Sequence, residues 1–423
     1  MRRQLKLFDI LCIGVNAIVG SGIFLLPGRL LEGAGALSIV LFLVCGVMLI
    51  PVGLCFAEAG SRVDRNGGPY NYARIAFGDF VGFALGWIAV VTAIFSYAAV
   101  ANGLPYYLGE FIPGTDKGAL AHVVSGLVIF FLMILNVRGV RLGANIINFF
   151  TLSKLVPLLL FVAVGLFFIK PVHFTVPTGI SAAPVYGLLL AVVFTYQGFE
   201  VTPVPAGETL NPARTIPLAV MGSLILSGIL YMVIQGVIVG TGAPVVGSER
   251  PLADAADFVL KGWGGTLLAF GALISMTGYC AGIAFSAPRF LTVLCEDRFL
   301  PRAGAAIHSR FQTPYVATIF ISVMAFVMTL FLDFEKLVDI SALAVSSQFL
   351  VTALAIPFLR KKTAVTDQTY VMPFGIIVPI LGVLVSLVFI FQIKAQELIW
   401  FVATIAIGVA VSYAYRLVRG RGG

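Results

Sequence analysis

The stretch Val19-Gly20-Ser21-Gly22-Ile23-Phe24 sets two glycines and a serine in the middle of a charge-free run from Leu11 to Gly28. Such a run fits a membrane helix, which needs ~20 apolar residues. Glycine weakens a helix interior by ~1 kcal/mol relative to alanine, so Gly-Ser-Gly at the centre predicts a helix that breaks there. Hydrocarbon cannot satisfy the N–H and C=O groups that a break releases, so they must face protein, water or a ligand. A second half-helix starting near Ser21 would offer its amides, and the positive end of its dipole, to a carboxylate. The competing reading is a tight helix–helix contact through small residues.

Working outward, the whole chain has the same character. Of its 423 residues, 60% are hydrophobic and 11% charged, with a mean hydropathy of +1.04. That is far more apolar surface than a soluble core of this size hides, and it predicts an all-α polytopic membrane protein. The start, Met1-Arg2-Arg3-Gln4-Leu5-Lys6, resembles the basic end of a signal peptide, but no small-residue cleavage site closes the apolar run. It reads as an uncleaved first helix. The cysteines, at 12, 45, 55, 280 and 295, fall in or beside apolar runs without paired spacing, which points to packing rather than to disulfides or a metal.

Nearly charge-free runs cover 8–31, 34–61, 80–109, 118–137, 142–169, 183–207, 215–246, 262–288, 311–332, 338–359, 372–393 and 398–415, about twelve spans in one transmembrane domain over 1–423. Alternating the loops from a cytoplasmic N-terminus places 19 Lys and Arg inside and seven outside. This bias predicts cytoplasmic N- and C-termini and accounts for the net charge of +8 without nucleic acid. One cation is left over, Lys154, inside the fifth span.

The sixth span carries Phe194-Thr195-Tyr196-Gln197-Gly198-Phe199-Glu200, then Pro203, Pro205 and Gly207, again a poor continuous helix. Interruptions at matching places in two halves are the best sequence pointer to a transporter's binding site. Spans one and six are five apart, an odd number, so the halves enter the membrane from opposite sides. An inverted repeat follows, with about 8–169 and 183–359 as its halves and helices 11–12, about 372–418, as additions.

Several stretches together resemble the amino acid–polyamine–organocation (APC) superfamily, over nearly the whole chain. They are Gly20-Ser21-Gly22-Ile23-Phe24; Gly67-Gly68-Pro69-Tyr70-Asn71-Tyr72-Ala73-Arg74 with Phe77-Gly78; Gly207-Glu208-Thr209-Leu210-Asn211-Pro212-Ala213-Arg214-Thr215-Ile216-Pro217; and Arg289 to Pro301 with Glu296-Asp297. The resemblance implies a five-plus-five inverted repeat with helices 1 and 6 broken, alternating access around a midplane site, and an integral plasma (inner) membrane protein. It is similar in particular to the proton-coupled, broad-specificity amino acid transporters.

An amino acid backbone carries one anion and one cation, and two broken helices offer complementary dipole ends. By position Ser21, Gly22 and Ile23 receive the carboxylate. The resemblance implies that the carbonyls of Ile18, Phe194 and Gln197, at the Gly198 break, hold the ammonium. Phe194 falls where the family's arginine/agmatine exchanger places an aromatic lid; the alternative is a core phenylalanine. Ser96 and Tyr97 in the third span are candidates for lining the side-chain pocket, but their spacing aligns poorly, and packing in the core or at the lipid interface is the preferred reading. Glu200, an acid inside an apolar span, is a gate or proton carrier, or else caps the break. Glu58, near a span end, reads as structural and solvated.

Lys154 lies too deep to snorkel. The resemblance implies that a lysine here occupies the place that sodium fills in sodium-coupled relatives. Charged, it would contact the first helix near Asn16 and the hydroxyl matching Ser275; neutral, it would release both. The alternative is a permanently charged structural tie. The expected substrate is a small or medium neutral L-amino acid taken up with a proton, because Ile283 is the positional match to the arginine exchanger's second aromatic and gives no cation–π attraction. An amino acid/polyamine exchanger or exporter with a cationic substrate is the runner-up. A membrane enzyme is disfavoured: the three histidines, His122, His173 and His308, fall near loops, and no HExxH, GxSxG or paired acids occur. No cofactor is expected. A channel would be told apart by current exceeding a transporter's turnover.

Overall fold

The computed structural model describes residues 3–175, 182–331, 334–364, 369–391 and 395–420; Arg2, Lys394 and Arg421 of the charge count, and residues 332 and 392–393 of the ninth and eleventh runs, lie outside them. Sixteen α-helices are described: α1 (Leu7–Ile18), α2 (Gly22–Leu25), α3 (Pro27–Ala34), α4 (Leu37–Arg62), α5 (Pro69–Phe77), α6 (Asp79–Leu108), α7 (Gly118–Val137), α8 (Val140–Gly165), α9 (Ala182–Tyr196), α10 (Pro212–Thr241), α11 (Pro251–Leu260), α12 (Gly264–Glu296), α13 (Tyr315–Phe331), α14 (Phe334–Lys362), α15 (Ile377–Ile390) and α16 (Ala395–Gly420). Among the described residues, eight segments are long and apolar enough to cross a membrane, and four shorter apolar ones take the places of the sixth, ninth, eleventh and twelfth runs.

Both predicted interruptions are present. α1 stops at Ile18, Gly20 N–H turns back to the Ile18 carbonyl at 2.8 Å, and a new helix starts after Ser21. Pro27 then opens α3, where its missing N–H costs nothing. α9 ends at Tyr196, and from Phe199 the chain advances in short 3-10 turns, in line with the poor helix read for the rest of the run to 207. The prolines at 203 and 205 explain this, since neither supplies the amide a continuing helix requires.

Burial sorts the helices by role. In α12, and across α1 and α2, 72% of the most apolar window is buried, against 17% in α7, so the broken helix is central and α7 faces lipid. α1 packs on α8, α10 and α12, while α4 packs on α10 and α6 on α12. Short helices, α5 and α11, each opened by a proline, precede α6 and α12.

Two acids at span ends are buried and paired, and for Glu58 this corrects the solvated reading. Arg289 lies on α12, 2% exposed, and holds the fully buried Glu208 by two bonds of 2.8 Å, its guanidinium 3.7 Å from the centre of the Phe285 ring. Glu58 is not solvated: it is fully buried, paired with Arg62 and Arg360, and accepts the Met372 amide at 3.0 Å. Each acid needs its cation because an unpaired charge there would lose hydration with no return. Arg289→Ala is therefore expected to destabilise the protein by ~3–5 kcal/mol, read as a lowered midpoint in thermal unfolding of detergent-purified protein. Removing Glu208 as well should recover part of the loss, and an additive double variant would refute the pairing.

Candidate functional site

The two interruptions touch. Gly198 adopts φ 131°, a region open to glycine, and a Cβ there would come within 2.6 Å of the Ala17 carbonyl oxygen. Gly22 abuts Thr195 in the same way, its would-be Cβ 2.8 Å from Thr195 Cγ2. Glycines at both places let the end of α1 and the start of α2 lie directly on the end of α9. Among the described residues, the amides of Ser21, Gly22 and Ile23 make no hydrogen bond within the protein, as expected for the first turn of a helix.

The carbonyls freed at the end of α1 are taken up from three directions. Lys154 Nζ, fully buried on α8, donates to Asn16 O at 3.1 Å and Val19 O at 2.6 Å. Ser275 Oγ on α12 donates to the same Val19 O at 3.0 Å. Tyr231 on α10 donates to Ile18 O at 2.7 Å, so Ile18 O, with Gly20 N–H also upon it, has both lone pairs engaged. Asn16, placed near Lys154 in the sequence reading, turns its side-chain amide to Gly278 O at 2.6 Å. Lys154 and Ser275 thus meet on one shared acceptor rather than on each other.

A cavity of about 40 Å³, the space of a few water molecules, lies between the last turns of α1 and the segment that follows α9. Gln197, Gly198 and Glu200 line it from the turn after α9, Ala17 and Ile13 from α1, and Tyr279 and Ile283 from α12. Ser21, Gly22, Ile23, Ile18 and Phe194 do not line it. Glu200 caps the break, accepting the Gly198 amide at 2.8 Å. Among the described residues, buried polar atoms at or beside the breaks that have no protein partner are Ser21 Oγ, Asn16 Oδ1 and Gln197 Nε2. Buried groups of this kind ordinarily find partners, and Ser21 and Gln197 stand at the two breaks themselves.

Two readings change. Ser96 lines the cavity instead of merely packing; its hydroxyl lies 2.6 Å from Ser341 Oγ, which donates to Gln197 Oε1 at 3.0 Å. Tyr279 brings an aromatic ring from α12 into the cavity wall, one turn before Ile283. Counting by fours from Ser275 reaches Tyr279 and then Ile283 on one helix face, a signal that counting back from Asp297 passed over.

A family profile described as amino acid permease matches residues 5–415. The chain belongs to that family. The permease is 25% identical to a methylthioribose transporter of Bacillus subtilis, over 98% of its own length and 94% of the relative's. It is 28% identical to the serine/threonine exchanger SteT of the same organism, over 90% and 89%. To the branched-chain amino acid permease BcaP it is 24% identical, over 98% and 93%. A permease of this length and apolarity, with its spanning helices, is an integral membrane protein of the APC superfamily.

Proposed function

We propose that this permease takes up small or medium neutral L-amino acids together with a proton, by alternating access between two halves of opposite orientation. Its termini are cytoplasmic, in the plasma membrane. The observation that carries this reading is the pair of bonds from Lys154 to Asn16 O and Val19 O. Protonated, the amine has three donors and ties α8 to the broken helix; without its extra proton the tie weakens at the place where substrate binds. The match of α5 before α6 with α11 before α12 supports the repeat. The substrate's carboxylate goes to the free amides of Ser21, Gly22 and Ile23, and its ammonium to the carbonyls of Phe194 and Gln197 at the α9 break. Ile18 O joins only after Tyr231 or Gly20 gives it up. Phe194 closes over the substrate, and Glu200 serves as gate beside its capping bond.

A second reading, a cationic substrate in an exchanger or exporter, is favoured by one observation: Tyr279 and Glu200 face the same cavity, an aromatic ring and an acid together. The neutral reading stands against it because Glu200 is engaged by Gly198 and no second acid lines the cavity. Proteoliposomes with an inward proton gradient decide. Alanine, leucine or methionine is expected to compete for uptake better than arginine by tenfold or so, the worth of about 1.4 kcal/mol. Stronger competition by arginine would overturn the neutral assignment, and uptake indifferent to the gradient would overturn the coupling.

A further inference from the structure

α1 is fastened to the second broken span through main-chain atoms. At its start the amides of Gln4 and Leu5 donate to Glu208 O at 2.8 and 3.0 Å, and Leu210 N–H returns to Leu5 O at 2.8 Å. At its end Gly198 lies on the Ala17 backbone. Among the described residues no main-chain bond joins α1 to α8. That seam is held by apolar packing of Ile10 and Ile13 with Ala144 and Ile147, and by side chains at 148, 151 and 154, which recur on one face of α8. Asn148 Nδ2 donates to Asp9 Oδ1 at 2.7 Å, and Thr151 Oγ1 reaches Cys12 O at 3.2 Å besides its own Ile147 O at 2.7 Å. Lys154 completes the row at Asn16 O and Val19 O.

The far end of α8 is anchored elsewhere. Lys170 N–H donates to Gly240 O, at the end of α10, at 2.8 Å, and His173 Nδ1 lies 2.8 Å from the same oxygen. Between that anchor and the three rungs stands Pro157, which takes one amide out of the helix and lets it bend. A separation of α8 from α1 therefore hinges near Pro157 and is widest at Asp9 and Asn148. The second oxygen of Asp9 accepts Lys6 N–H at 2.8 Å and caps α1, so the carboxylate travels with α1. Asn148 travels with α8, and its Oδ1 is buried with no protein partner among the described residues.

We propose that the seam between α1 and α8 opens and closes during transport, and that Asp9 and Asn148 are positioning residues that lock its start while Lys154 holds its inner end. The inference rests on the alternating-access reading above. Main-chain ties keep α1 with the segment after α9, so the side-chain seam is where the molecule parts, and the Asp9–Asn148 bond breaks and re-forms in each cycle.

Cys12 reports on the seam. It lies one turn after Asp9 on the same face of α1 and is 4% exposed, so a maleimide reaches it when α1 and α8 part. Cys45 and Cys55, fully buried in α4, serve as internal controls for general loosening. The test is alkylation of the detergent-purified full chain with N-ethylmaleimide, each cysteine being followed by peptide mass spectrometry. Asn148→Leu keeps the volume and removes the donor, and is expected to speed Cys12 labelling about tenfold, the scale of one hydrogen bond to a charged group. Asp9→Asn combined with Asn148→Asp rebuilds the bond in the opposite sense, with the new amide oxygen still free to accept Lys6 N–H, and should restore the wild-type rate. Cys12 labelling that ignores Asn148→Leu, that is not restored by the exchanged pair, or that is matched by Cys45 and Cys55 would overturn the lock. Asp9→Cys joined to Asn148→Cys by a short bis-methanethiosulfonate should stop substrate exchange until a reductant releases it, and undiminished exchange would overturn the opening of the seam. The labelling needs neither substrate nor proton gradient, so an absent lock shows there, whereas a failure of coupled uptake shows in wild-type proteoliposomes.

Discussion

Lys154→Ala, reconstituted in liposomes, is expected to bind and exchange substrate yet fail to concentrate it when an inward proton gradient is imposed. One proton per substrate across one pH unit supplies about 1.4 kcal/mol, a tenfold accumulation at most, and the variant should fall to a ratio near one. The Asn16 and Val19 carbonyls lose their lysine donor, but Val19 O keeps Ser275, so the break remains partly satisfied and the protein should still fold. Lys154→Arg separates coupling from a purely structural tie. Arginine donates to the same carbonyls but does not give up its proton, so a structural tie predicts restored accumulation and coupling predicts none. Tenfold accumulation by Lys154→Ala would move the coupling role elsewhere, with Glu200 the next group to test.

Gly22→Leu is expected to reduce uptake to background while membrane insertion stays normal. A Cβ at Gly22 would be 2.8 Å from Thr195 Cγ2 and 3.1 Å from Thr195 Cα, and the latter belongs to a backbone that cannot turn aside. The rest of a leucine would push the amide end of α2 off α9 and pull apart the two breaks that bind the two ends of the substrate. The clash therefore falls on the seam between α2 and α9, not on the space open to a carboxylate. Gly198→Ala should be as severe, because its Cβ meets the Ala17 backbone and its φ of 131° is strained for any side chain. Wild-type uptake by Gly22→Leu, with correct insertion shown by surface labelling, would remove the first break from the binding site.

The breaks in helices 1 and 6 were legible because glycine and proline act on backbone through local chemistry that composition exposes. The depth of Lys154 was legible for the same kind of reason, since a single cation in an apolar run stands out. What the chain did not reveal locally was which side chains converge across distant segments. Ser96 reads as packing because the spacing of the third span aligns poorly with a pocket; its role comes from Ser341 and Gln197, 245 and 101 residues away. Arg289 stands just past the charge-free run 262–288, and nothing beside it in sequence announces its burial, which Glu208 explains. Tyr279 was passed over by counting from the wrong end of its helix.

The partners of the first break also bear on how the protein is made. Asn16 O takes a donor from a residue 138 positions later, Ile18 O from one 213 later, and Val19 O from two, 135 and 256 later. A ribosome delivers these in order, so the first span enters the bilayer with only the Gly20 N–H, on Ile18 O, to serve the three carbonyls from within. Until Lys154, Tyr231 and Ser275 arrive in turn, that segment must stay continuous, stay hydrated or lean on the insertion machinery. The bent form of the first span is thus a late product of synthesis, completed when α12 reaches the membrane.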